Sequence, residues 1–158
     1  VFVQGLTALN AVMDKAIAHM AERKIDPAAL LTYRLYPDML PFKRQVQVAC
    51  EFAKGGVGRL AGDESMPTYD NSEASFEDLK GRIAATIAYV QSIDASRLEG
   101  AEDRTVTLTR GETVQTFKGG EYLLGQSMPN FYFHLTTAYA ILRHNGVEIG
   151  KKDFLGTR

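Results

Sequence analysis

Hydrophobic positions recur along the chain at two different periods. Over residues 2–23, Phe2, Leu6, Leu9, Met13, Ala16 and Met20 fall at steps of three and four, with Asn10, Asp14, Lys15 and Glu22 on other faces. That spacing predicts an amphipathic helix. "IDPAALL" predicts a short helix, with Asp26 as its N-cap and Pro27 at the first helical position. "YRLYPDML" reads as an irregular connection. Pro41 opens a second long helix, whose stripe is Phe42, Val46, Ala49, Ala53, Val57 and Leu60, flanked by Cys50. Gly55, Gly56 and Gly58 each weaken that helix by roughly 1 kcal/mol relative to Ala. Their compensation is expected to be close approach of a neighbouring element. The same glycines do not make a phosphate loop, because "AKGGVGRL" has neither the Gly-Lys-Ser/Thr ending nor a preceding strand.

"GDESMPTYDNSEA" is a polar loop. Ser75 then begins "SFED", a capping-box pattern with Asp78 at the third position. Phe76, Leu79, Ile83, Ile87 and Val90 form a third stripe ending near Ile93. The period next changes to alternation: "TVTLTRGETVQTF" predicts a β-hairpin with its turn near Arg110-Gly111-Glu112. An isolated hairpin is marginal in water, so this one is expected to lie against the helices. "GGEYLLGQ" leads into the last long helix, which includes Asn130–Arg143 and which Pro129 either opens or kinks. Phe131, Leu135, Ala138 and Leu142 line it, with His134 and Ile141 on the flank. Asn145-Gly146 stops it, and Phe154 and Leu155 of the tail are expected to pack back. Four amphipathic helices and one hairpin between the third and fourth predict an all-α four-helix bundle.

The length of 158 residues suits a single domain spanning 1–158, and 45% hydrophobic residues is ordinary for a globular chain. Eighteen basic against 19 acidic residues leave a net charge of −1. That balance argues against nucleic acid as a partner, since a phosphate-tracking surface needs excess Lys and Arg. No apolar run approaches the ~20 residues that span a bilayer, and no signal peptide is visible. The helical pattern is already under way at Val1, so native residues upstream are allowed for. The lone cysteine, Cys50, has no internal disulfide partner, and a cytoplasmic location is the expectation.

Three histidines are present: His19, His134 and His144. Three imidazoles and a water would make a catalytic zinc or nickel site. However, His134 and His144 are separated on one helix by ~15 Å of rise and ~280° of rotation. They cannot share an ion while that helix is intact. His144 suits the negative end of the helix dipole, and His19 sits among Lys15, Glu22 and Arg23 at a helix edge. His134 is different, because Asn130 one turn earlier shares its face. An apolar surround favours its neutral form, which can donate, accept or bind metal. It is either a hydrogen-bonded core imidazole or part of a site. Cys50 is either a small buried hydrophobe or a thiolate paired with His134. Glu51, Gln45 and Gln47 lie near Cys50, and no pair of carboxylates is placed as acid and base.

"YPDMLPFKRQVQVAC", "GAEDRTVTL" and "NFYFHLTTAYAILRHNGVEIGKKDFLG" resemble a bacterial family of unknown function. It is numbered nineteen-ninety-three among such domains and is grouped with the DinB/YfiT-like superfamily. The resemblance runs from Phe2 to Gly156. It implies an up-down-down-up four-helix bundle, often dimeric, whose members resemble metal-dependent hydrolases or thiol-dependent transferases. Their usual site has one histidine on the second helix and two spaced four apart on the last, ahead of an L-R-x-x-G ending. "ILRHNG" supplies that ending with Arg143 and Gly146. Counting back then puts His134 on the second paired histidine, Asn130 on the first, and Ala49 or Cys50 near the remaining position. Asn is a poor zinc ligand, so the resemblance implies a degenerate metal site of His134, Asn130 and Cys50.

These readings favour a non-catalytic binding or structural homodimer with a possible small-molecule ligand. No cofactor is expected, although zinc or nickel remains possible, and no nucleic acid or membrane partner is expected. The alternatives are a thiol-dependent transferase or a divalent-metal hydrolase, using His134 with Cys50 and Asn130.

Overall fold

The structure is a computed structural model that describes residues 1–156, with the backbone alone at Arg110. Helix α1 covers Phe2–Arg23, α2 Pro27–Thr32, α3 Phe42–Leu60, α4 Phe76–Ser92, α5 Gly119–Tyr122, α6 Met128–His144 and α7 Lys151–Leu155. Strands β1 (Thr105–Arg110) and β2 (Thr113–Lys118) pair antiparallel, with Val106 opposite Phe117 and Leu108 opposite Gln115. The chain is thus mostly helical with one small hairpin. No helix among the described residues is long and apolar enough to cross a membrane.

The caps form where the sequence places them. Asp26 accepts from the Ala28 amide at 2.9 Å and starts α2. Ser75 and Asp78 exchange hydrogen bonds at 3.0 Å in the capping box of α4. The core is built from the expected stripes: Leu6, Met13, Phe42, Val46, Ala49, Phe76, Leu79, Phe131, Leu135 and Leu142 are all buried. Helix α3 is central, packing against α1, α2, α4 and α6. It therefore buries more than one stripe, including the polar Gln45, Gln47 and Lys54. Only part of the tail returns to the core. Phe154 meets Tyr139 edge-on at 5.5 Å, whereas Leu155 stays exposed.

Two features depart from the expected pattern. A short 3₁₀ turn, Ala95–Leu98, follows α4 and is capped by Asp94. Leu123–Ser127 is π-helical and joins α5 to α6 without a break, and Pro129 falls in the first turn of α6, the opening position expected of it. The Met128 amide reaches back five residues to the Leu123 carbonyl. The wider turn relaxes the ladder just where Pro129 has no N–H to contribute. The hairpin does lie against helices: Val106 packs with Leu60, Ala101 and Tyr122 in a small second cluster.

The glycines of α3 have different neighbours. A Cβ at Gly56 would stand 2.3 Å from Ser127 Oγ and 2.8 Å from the Phe2 ring, so α1 and the π segment close onto backbone there. Gly81 in α4 has nothing within 4 Å. Alanine should therefore act with opposite signs at the two sites. In urea unfolding, Gly56→Ala is expected to destabilise by about 1–3 kcal/mol through overpacking. Gly81→Ala is expected to stabilise by up to about 1 kcal/mol through helix propensity.

Candidate functional site

His134 projects from α6 toward α3. Its Nδ1 lies 2.7 Å from Gln45 Oε1, and Gln45 Nε2 donates to the Leu40 carbonyl at 2.9 Å. That second bond orients the amide so that its oxygen faces the ring. His134 Nδ1 must then carry the proton, leaving Nε2 with a free lone pair. The Phe52 ring stacks on the imidazole at 5.9 Å and Phe133 meets it edge-on at 5.2 Å. Burial holds the imidazole below its ordinary value of 6.5, so the neutral ring is the working form. Asn130 is one turn away, but its Nδ2 is spent on the Gln126 carbonyl at 2.7 Å, inside the π segment.

The polar side chain that α3 brings to His134 is Gln45, one turn before Ala49. Cys50 faces elsewhere. Five residues past Gln45 it is rotated by ~140° around the helix, and its thiol lies beside Thr86 and Arg82 of α4. Burial pushes the Cys50 thiol up to about 12, more than Thr86 and the Arg82 charge pull it down. A thiol so placed stays protonated and makes no thiolate–imidazolium pair with His134. His19 is half-buried near Gly146, and His144 is exposed at the end of α6, its ring 6.1 Å from Tyr33. Among the described residues, no three His, Cys, Asp or Glu side chains group into a set that would hold a metal ion. Gln45 Oε1 is already bonded to His134, and Asn130 offers only a neutral amide oxygen, so the two do not fit a zinc or nickel ligand set.

The largest polar cluster was not expected. Arg82 of α4, its side chain 1% exposed, pairs with Glu51 at 2.8 Å and with Glu73 at 2.9 Å. It also donates to Asn71 Oδ1 at 3.0 Å and lies over the Tyr69 ring at 4.3 Å. Lys54 meets the second oxygen of Glu51 at 2.8 Å and the Pro67 carbonyl at 2.7 Å. Gln47 donates to Glu73 Oε2 at 2.6 Å. Burial raises Glu73, but its hydrogen bonds from Arg82 and Gln47 outweigh that and hold the carboxyl below its usual range. Two cations face two carboxylates, which leaves none free to act as acid or base. The cluster straps the connection between α3 and α4 onto both helices. A signal existed in the sequence: Arg82, Thr86 and Tyr89 run at helical spacing beside the apolar stripe of α4.

Comparison with known proteins agrees with this architecture. The family described as Domain of unknown function (DUF1993) matches residues 1–155. A crystal structure of a DinB family member protein from Shewanella denitrificans is 42% identical, with a TM-score of 0.94. The match covers 99% of this chain and 88% of that one. No curated protein matches the chain. The fold is therefore that of a DinB family member, and the chain belongs to the DUF1993 family.

Proposed function

We propose that this protein is a non-catalytic, cytoplasmic binding or structural homodimer, a single DinB-like domain whose ancestral metal site around His134 is degenerate. On this reading α1, α3, α4 and α6 form the up-down-down-up bundle, with the shorter elements attached to it. The observation that carries it is the Gln45–His134 hydrogen bond, with Gln45 itself anchored on the Leu40 carbonyl. It spends one imidazole nitrogen on a neutral amide and leaves the other, Nε2, as an acceptor for a donor group on a small ligand. The raised Cys50 thiol supports the non-catalytic side of the reading, since a nucleophile needs its thiolate. Tyr36, Leu40, Tyr132 and Phe133 are large and exposed, which supports burial against a second copy.

Metal analysis tests the reading directly. Protein purified without chelator should carry far less than one zinc, nickel or iron per chain, and His134→Ala should not change that content. Near-stoichiometric metal that the variant loses would restore the hydrolase reading. Alkylation tests the thiol alternative: Cys50 should react with iodoacetamide only at the rate of unfolding, equally in wild type and His134→Ala. Fast reaction at neutral pH, slowed by His134→Ala, would restore the paired nucleophile. The dimer predicts twice the chain mass by light scattering at micromolar concentration, and a monomeric mass would remove it.

A further inference from the structure

A cavity of about 220 Å³ lies between β1 and α3, walled by Glu51, Phe52, Arg59, Tyr122 and residues 107–109. Arg59 is the charge that matters there. Its guanidinium folds back along α3 into the space a side chain at Gly55 would take, with Nη1 1.9 Å from where that Cβ would be. It donates to the Tyr122 hydroxyl at 3.0 Å and sits 5.9 Å over the same ring. It makes no ion pair among the described residues. The carboxylate on the wall, Glu51, has one oxygen on Arg82 and the other on Lys54, so it does not neutralise Arg59.

The strand opposite adds donors. Arg110 and Thr113 flank a two-residue turn, Gly111-Glu112, and a pair in that position exchanges both ladder bonds. Counting back along the register, Leu108 and Val106 also bond to β2, while the amides and carbonyls of Thr107 and Thr109 point away from it. Among the described residues the sheet has two strands, so this edge of β1 has no strand partner, and residues 107–109 line the cavity. The Tyr122 hydroxyl accepts from Arg59 and keeps its own proton to donate.

We infer that this cavity is a binding site for a small organic monocarboxylate. The carboxylate would take the free Arg59 edge and the Tyr122 hydroxyl, and an amide or hydroxyl of the ligand would pair with the β1 edge at Thr107 and Thr109. One planar guanidinium matches a carboxylate in charge and geometry, whereas a phosphate dianion would leave charge uncompensated. Phe52 and Leu108 supply apolar contact. The inference does not rest on His134, which is not among the walls, and it explains why α3 tolerates glycine at position 55: any side chain there would expel the guanidinium.

N-acetylglycine, which carries a carboxylate and one amide, is the probe. Titrated into ¹⁵N-labelled protein, it should shift the Thr107 and Thr109 amides and the Arg59 Nε–H signal saturably. Arg59→Gln should weaken binding by roughly tenfold or more, the worth of a charge-assisted hydrogen bond. N-acetylglycinamide, which lacks the charge, should bind no better than the variant. Gly55→Ala displaces only the end of a flexible side chain, so it serves as the second variant if Arg59→Gln fails to fold, and it should weaken binding likewise. Absence of saturable shifts, equal binding of the neutral amide, or undiminished affinity in the folded variant would overturn the assignment.

Discussion

The guanidinium of Arg82 sets the terms for the structure around it. An ion of that kind taken out of water costs several kcal/mol unless partners replace the solvent. Here the partners come from two places: Glu51 and the Gln47 carbonyl on α3, and Asn71 and Glu73 on the connection that precedes α4. That connection runs from Ala61 to Ser75 without regular structure. It cannot stay in place by backbone pairing, so the buried charge holds it. Asn71 even adopts a left-handed backbone, φ 61°, while reaching Arg82; a short polar side chain tolerates that conformation better than most. Among the described residues, one nitrogen, Arg82 Nε, is buried without a partner. Orienting the other two toward the carboxylates leaves it no acceptor.

The neighbours of α3 explain its glycines and its buried polar residues. Enclosed by α1, α2, α4 and α6, it has little free surface. Polar residues such as Gln45, Gln47 and Lys54 are buried on it because each faces a carbonyl, carboxylate or imidazole supplied by a neighbour. Glycine replaces bulk where a neighbour comes closest. The local cost in helix propensity is set against packing that no isolated helix could gain.

Legibility in the sequence followed the range of the interaction. Caps, stripes and the hairpin depend on residues a few positions apart, and Asp26, the Ser75–Asp78 pair and the Arg110–Thr113 turn all form as their spacing predicts. The long-range polar partners were out of reach. Gln45 and His134 are 89 positions apart, and Arg82 and Glu51 are 31. Periodicity assigns each of these residues to a polar or flanking face and cannot say what covers it. Cys50 illustrates the limit: it and His134 both flank inward stripes, yet the stripe of α3 turns toward two different helices within a single turn. The π segment was equally silent, since "LLGQS" carries no signal that separates it from an ordinary helical turn.

That segment fixes phase. Tyr122 belongs to the small cluster beneath the hairpin and Phe131 to the main core. Nine residues of regular helix would aim them ~180° apart. Spending five of those residues on a wider turn winds back part of that difference, so one continuous rod serves two hydrophobic centres on neighbouring azimuths. The hairpin is thereby indexed to the last helix much as a gear tooth is indexed to its shaft. Lengthening or shortening this stretch by one residue would swing the whole β-ribbon around the axis while the helices beneath it kept their places.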